Sequence, residues 1–241
     1  MDKKRYALCA MRYAGKDRLN RPTCIDQPLK AMRIRPAFLI LLIFFCALPG
    51  TASADGFVLV KRVIDGDTIV LADGRRVRYI GINAPELGNE SGPAERFGPE
   101  ARDYNRKLMS GEKIRLEFDC ERHDQYGRIL AYVFLPDDTF VNAELVKSGN
   151  AYCVFKRPNT KYDSLLLRLQ QEAMTGKAGL WEKYPNEEGP FLGNTHSMRF
   201  HRMTCPFGRK TAVKNRTVFR TSFDAYLSGY SPCKRCFDRS P

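Results

Sequence analysis

The chain has 241 residues, 43% of them hydrophobic, and a formal net charge of +13. That length sets one or two domains, each with a core of its own. The charge is not spread evenly: residues 1–54 carry 10 Lys+Arg and 3 Asp+Glu, residues 55–189 carry 20 and 22, and residues 190–241 carry 10 and 2. This excludes a uniformly basic chain and directs any polyanion or membrane surface to the tail rather than to the near-neutral middle.

The first stretch, residues 1–31, is polar, basic and without sustained periodicity, and reads as a disordered extension or a mis-assigned start. From Met32 the pattern changes. Arg33 and Arg35 precede an apolar run from Ala37 to Leu48, then Pro49-Gly50 and the small residues Ala52-Ser53-Ala54. This is the anatomy of a secretory signal over 32–54, cleaved after Ala54. The apolar run falls short of the ~20 residues that span a bilayer, so membrane contact is only transient, through the signal. A secreted or periplasmic protein is expected.

The segment "VIDGDTIVLADGRRVRYIGINAPE" (63–86) opens the globular part. Asp-Gly between apolar, β-branched runs is a hairpin signal. Strands are expected over Val58–Ile64, Thr68–Leu71 and Arg76–Ile82, with turns at Asp65-Gly66 and Asp73-Gly74. The turn reading explains both glycines, Asp65 and Asp73. It leaves unexplained Asp67, where Thr, Val or Lys would pair better, and Arg78, set between Val77 and Tyr79.

Next comes a helical stretch (92–111) ended by Gly111, then the strand "KIRLEFDCE", the strand 128–135 and the short helix "VNAELVKSGN". An amphipathic helix follows over 162–181, ending near Gly176–Gly179. Five strands opening as a meander, with helices appended, give an α+β chain built on a small OB-type β-barrel, with a domain over 55–183. Residues 184–195 are rich in Pro, Gly and acid and read as a linker.

The tail, 196–241, brings cysteine chemistry. After signal cleavage five cysteines remain: Cys120, Cys153, Cys205, Cys233 and Cys236. In an oxidising compartment each is expected to be paired or metal-bound, and an odd number cannot all pair within one chain. His201-x3-Cys205 and Cys233-x2-Cys236, with 27 residues between the halves, suit a closed tetrahedral zinc site. Cys120 and Cys153 are then left as a candidate disulfide. The competing reading of the tail is a Cys233–Cys236 redox pair or a disulfide to Cys205.

Taken together, "DGDT", "VRYIGINAPE", "HDQYGRILAYV", "NAYCVFKRPN" and "GLW" resemble, in order and spacing, the staphylococcal-nuclease-like thermonucleases over about 57–183. The resemblance implies roles residue by residue. Asp67 matches the calcium-ligand Asp, and Asp65 its outer-shell neighbour. Arg78 and Arg128 match the two catalytic arginines, and Glu86 the catalytic carboxylate. Ala84 falls where the family supplies a carbonyl ligand. Tyr126, Tyr152 and Phe155 fall where aromatics meet the nucleotide, although Tyr152 and Phe155 also fit as core aromatics. Asn83 departs from the pattern, standing where the best-known member has a second Asp ligand. The resemblance implies a calcium-dependent nuclease acting on DNA and RNA and leaving 3′-phosphorylated products, as a monomer without a stable protein partner. The alternative is a non-catalytic OB-type nucleic-acid-binding protein, which would not need Glu86 beside two arginines. The tail resembles the metal-binding domain of the Ada DNA-repair proteins through "GYSPCKRC" and its spacing to Cys205, with His201 replacing that family's methyl-accepting Cys. That implies a zinc-stapled module without repair activity. Export with cleavage after Ala54 predicts a mature N-terminus at Asp55, to be read by intact-mass analysis of exported protein; an N-terminus upstream of Met32 would contradict it.

Overall fold

The computed structural model describes residues 56–88, 94–109 and 111–237. The signal segment and the extension before it lie outside them.

Three short, apolar, β-branched runs start the barrel: β1 (Phe57–Val63), β2 (Thr68–Leu71) and β3 (Arg76–Tyr79). They pair antiparallel, Val63 with Ile69 and Thr68 with Arg78. The second turn follows expectation, with Gly74 at φ +89. The first does not need a left-handed glycine. Gly66 is required for clearance, because a Cβ there would overlap the Ala84 side chain and press on Ala101.

The expected long third strand is divided. At Gly81, φ +80, the chain turns out of β3 and into β4 (Ile82–Asn83). A side chain is strained in that region of backbone space, so glycine marks the break. β4 leaves the barrel and pairs with β7 (Tyr152–Cys153), setting Asn83 opposite Tyr152.

β5 (Lys113–Glu117) and β6 (Ile129–Phe134) complete the barrel, which closes in the order β1-β2-β3-β6-β5. β3 and β6 run parallel, Arg78 beside Leu130, and β5 closes antiparallel onto β1. This is the OB-type barrel anticipated from sequence. Ile69, Leu71, Val77, Ile114, Ala131 and Val133 fill it.

Three helices surround the barrel. The first, α1 (Gly98–Met109), buries Ala101, Asn105 and Met109 at a four-residue spacing. α2 (Val141–Lys147) packs on α3 (Asp163–Thr175). α3 stops at Gly176, earlier than the pattern suggested, because Lys177 and Gly179 adopt left-handed conformations before a 3-10 turn at Gly179–Glu182.

The C-terminal part corrects the expected layout. Residues 184–195 are not a spacer. Glu188–Asn194 form β8, which pairs with β9 (Arg199–Arg202) and with β10 (Arg216–Thr221). β11 (Ser231–Pro232) adds in parallel to β9, giving the order β10-β8-β9-β11. Three short helices accompany the sheet: α4 (Pro206–Arg209), α5 (Ser222–Leu227) and α6 (Lys234–Phe237). Nor is the tail separate. Phe191, Phe200, Tyr226 and Tyr230 share one buried cluster with Tyr152, Met174, Leu180 and Trp181 of the first part, and the described residues belong to one compact unit.

Gln170 pins this junction. Fully buried on α3, it accepts from the Cys153 amide (2.6 Å) and donates to the Tyr226 carbonyl (2.7 Å). Cys153 itself carries a free, buried thiol, so the expected bridge to Cys120 does not form. Among the described residues no helix is long and apolar enough to cross a membrane.

Gln170→Leu keeps the volume but strands one buried N–H and one buried C=O, each costing ~1–3 kcal/mol. Urea unfolding is expected to show a loss of roughly 2–4 kcal/mol. Unchanged stability would mean that the two halves are held by apolar contact alone.

Candidate active site

Asp67 sits where the β1–β2 turn enters β2, 5% exposed. Its backbone amide donates to Asp65 Oδ1 (2.9 Å), an Asx-type turn that orients both carboxylates. Its own carboxylate is shared three ways. Oδ1 accepts from the Thr68 hydroxyl (3.0 Å), and Oδ2 accepts from the Ala84 amide (2.7 Å) and meets Arg78 Nη2 at 3.0 Å. One side chain thus ties the turn, β3 and the loop after β4.

Arg78 lies opposite Thr68 in the ladder, one residue from Asp67, and its guanidinium reaches the Asp67 carboxylate. Nη1 donates to the Tyr79 carbonyl (2.7 Å) and Nη2 to Asn83 Oδ1 (3.0 Å). A guanidinium has five N–H donors in a fixed plane, so these bonds aim it and leave donors for an incoming anion. Asn83 is oriented by its amide, which donates to the Ala84 carbonyl (2.8 Å) and to the Tyr152 hydroxyl (3.1 Å).

Asp65 and Asp67 crowd negative charge. Burial first, then the Asp67 charge, pushes the Asp65 carboxyl up to about 7, against the pull of the Asp67 amide and Arg78. Asn105, which donates to the Asp65 carbonyl and accepts from the buried Tyr79 hydroxyl, braces the turn from α1. Asp67 Oδ2 and Asn83 Oδ1 both meet Arg78 Nη2, and the Ala84 carbonyl accepts from the Asn83 amide, so the three oxygens lie on one hydrogen-bonded chain of the oxygen-donor type that suits a hard divalent cation. The raised Asp65 fits the same reading, since a cation there would relieve the charge.

Glu86 lies two residues beyond Ala84, half-exposed, and its Oε1 meets Lys234 Nζ of α6 at 2.7 Å. Its backbone is clasped by Glu95, amide to Glu95 Oε2 (3.0 Å) and carbonyl from the Glu95 amide (2.9 Å). Arg128 precedes β6, beside β3. Asp124 orients it: Oδ1 takes the Tyr126 and Arg128 amides, and Oδ2 takes Arg128 Nε at 2.7 Å. Its terminal nitrogens make no protein hydrogen bond among the described residues. Tyr126, 74% exposed at this turn, has Arg128 over its ring at 5.5 Å and offers a face for stacking.

Two expected aromatics do not offer such a face. Tyr152 is 8% exposed, edge-on to Tyr226, and Phe155 is 9% exposed within the barrel core. Packing against the C-terminal part covers them, so the core reading applies. Tyr152 meets the site through its place opposite Asn83 in the ladder and its hydroxyl on the Asn83 amide. Sequence reasoning missed Asp124, Asn105 and Lys234. Asp124 was findable as an Asx turn before "YGR"; Lys234, 148 positions from Glu86, has no local signal.

The tail cysteines converge as their spacing suggested. Ligand atoms of His201, Cys205, Cys233 and Cys236 all lie within 4.8 Å of one another, and Cys205 Sγ is 3.5 Å from His201 Nδ1. Burial and the Arg199 charge hold the His201 pKa below its usual value. Burial raises the Cys205 thiol, but the Gly208 and Phe207 amides outweigh it and hold the thiol below the usual value. Burial, with the neighbouring sulfurs, lifts Cys236 to about 12. A neutral imidazole beside three sulfurs is a closed soft-metal donor set.

The Asp65 shift has a defined sign. Its folded value lies above its unfolded one, so its contribution to stability is full below about pH 4 and is lost as pH rises towards 7. Asp65→Asn is expected to flatten the fall in melting temperature of calcium-free protein between those values. An identical pH profile would show that Asp65 does not carry the charge strain.

Residues 76–183 match the family described as "Staphylococcal nuclease homologue". Among curated proteins, the chain is similar to "Thermonuclease" of Staphylococcus intermedius, 44% identical over 128 residues, covering 52% of this chain and 76% of that protein. "Thermonuclease" of Staphylococcus hyicus is 41% identical over 125 residues, with coverages of 51% and 73%. "Endonuclease YncB" of Bacillus subtilis (strain 168) is 38% identical over 131 residues, with coverages of 52% and 62%. The family match ends before β8, so the C-terminal sheet lies beyond it.

Proposed function

Since the chain belongs to the staphylococcal nuclease family and is a nuclease, we propose that it is an exported, calcium-dependent phosphodiesterase cutting DNA and RNA to 3′-phosphorylated products. The observation that carries this reading is the buried Asp67 carboxylate, held between the Ala84 amide and Arg78. A binding module gains nothing from burying an acid beside the surface that meets phosphate.

Each residue has a task in the reaction. Asp67, Asn83 and the Ala84 carbonyl would hold calcium. When bound, that ion polarises a phosphoryl oxygen and offsets its charge. Glu86 takes the proton from the attacking water. Arg78, aimed by three acceptors, and Arg128, aimed by Asp124, hold phosphate oxygens and stabilise the charge that grows in the transition state. Breaking the bond to the 5′-oxygen leaves the phosphate on the 3′ side. Exposed Tyr126 gives a base a sequence-tolerant surface. His201, Cys205, Cys233 and Cys236 hold zinc, which staples the C-terminal sheet, and that part, carrying 10 Lys+Arg against 2 Asp+Glu over 190–241, contacts phosphate backbones. Export rests on the segment 32–54.

Glu86→Gln is expected to lower kcat by ~10²–10⁴-fold, and Arg128→Lys by ~10²–10³-fold, because charge without the planar fork does not replace it. Both should keep the wild-type melting temperature. Asp67→Ala should lose stability as well as turnover, since it strips the Ala84 amide and Arg78 of their shared partner. Asp73→Ala, on the exposed turn where Asp73 pairs with Arg75, is the control and should spare turnover. Cleavage is expected to stop on calcium removal and return on its addition. Near wild-type rates in both Glu86→Gln and Arg128→Lys would overturn these roles and favour the binder reading.

A further inference from the structure

One contact at the site comes from beyond the family match. Lys234 lies between Cys233 and Cys236 at the start of α6, and its Nζ is 2.7 Å from Glu86 Oε1. The backbone beneath it is fixed. The Cys233 amide donates to the Phe200 carbonyl (2.9 Å), the Cys236 amide to the Cys233 carbonyl (3.0 Å), and Arg202 Nε to the Cys236 carbonyl (3.2 Å). On the other side, Glu86 is clasped by Glu95. Two anchored backbones therefore present an ammonium and a carboxylate to each other at the mouth of the site.

The pair has little value as a stability device. Both side chains are about half-exposed, 51% and 49%, and such pairs contribute ~0–1 kcal/mol. As a site feature it matters more. A carboxylate with one oxygen on an ammonium has only the other to offer a water. A lysine is a mobile point charge with three donors and no preference for carboxylate over phosphate. A polyanionic substrate brings several phosphates at once, and the nearest one beside the scissile group competes for the ammonium.

We propose that Lys234 is a substrate-contacting residue of the nuclease site. It rests on Glu86 in the free protein and passes to a phosphate next to the scissile one when a nucleic-acid strand binds, which frees Glu86 Oε1. The substrate class favoured is then a strand with phosphates flanking the cut, over a lone phosphodiester. This rests on the nuclease reading above, but its binding arm does not depend on turnover.

The test uses the full chain as wild type, Lys234→Ala and Lys234→Arg, with Lys107→Ala, an exposed lysine on α1, as the charge-matched control. Binding of a fluorescent single-stranded oligonucleotide is measured by anisotropy across a salt series without calcium. Cleavage of the oligonucleotide and of bis(p-nitrophenyl) phosphate is measured with calcium. Lys234→Ala is expected to weaken oligonucleotide binding roughly tenfold and to lower the salt slope by ~0.7, the loss of one phosphate contact on a single strand. kcat/KM should fall for the oligonucleotide but not for the single diester, Lys234→Arg should restore binding, and Lys107→Ala should match wild type. Unchanged affinity and slope in Lys234→Ala would overturn the proposal, as would an equal loss on both substrates. A wild-type chain that binds but does not cut would sink the nuclease reading, while the binding arm would still decide Lys234.

Discussion

The site depends on one carboxylate. Asp67 accepts from the Ala84 amide through the same oxygen that meets Arg78, while its other oxygen holds the Thr68 hydroxyl. These bonds add the loop that carries Asn83, Ala84 and Glu86 to the β1–β2 turn and β3, which the barrel ladder already joins through Thr68–Arg78 and the Tyr79 amide on the Asp67 carbonyl. Gly66 permits the approach, since any side chain there would strike Ala84. The arrangement buries Asp65 beside the Asp67 charge with a single guanidinium near, and burial first, then that charge, raises the Asp65 carboxyl.

Much of the barrel was legible because its signals are local. Asp-Gly pairs between β-branched runs located the first strands, and Asp67 and Arg78 stood out as residues a plain meander does not call for. The split of the third strand at Gly81 was not legible: "YIGI" reads as uninterrupted strand, and only the pairing of Ile82 with Cys153 reveals the exit. Tyr152 and Phe155 were expected at the nucleotide, and they are buried because Tyr226 and its neighbours cover that side of the barrel. Their exposure was decided by a segment more than 70 residues away. The strand Glu188–Asn194 was hidden by its own composition, since Pro190 and three glycine or acidic neighbours resemble a spacer until β9 and β10 supply partners.

The last point changes what the tail is. Its charge and cysteine spacing suggested an appended module joined by a linker. Instead, its aromatic residues complete a core begun by Met174, Leu180 and Trp181, and Gln170 bonds both halves. Asn83 is oriented in part by the Tyr152 hydroxyl, whose ring packs against Tyr226, so the C-terminal part supports Asn83 at one remove. The four converging His and Cys side chains gather ligand atoms within 4.8 Å of one another, and Lys234, between Cys233 and Cys236, reaches Glu86 from this cluster. Removing the tail would therefore bare apolar surface and loosen the site as well as discard positive charge.

The central claim is that the constellation around Asp67 breaks a phosphodiester with water. The most direct measurement is cleavage of a defined oligonucleotide by residues 55–241 with calcium in ¹⁸O-labelled water, followed by mass analysis of the products. The account predicts fragments ending in a 3′-phosphate that carries one ¹⁸O, paired with fragments bearing an unlabelled 5′-hydroxyl. Label at a 5′-phosphate would contradict the direction of attack, and an oligonucleotide bound but left intact would contradict the enzyme itself.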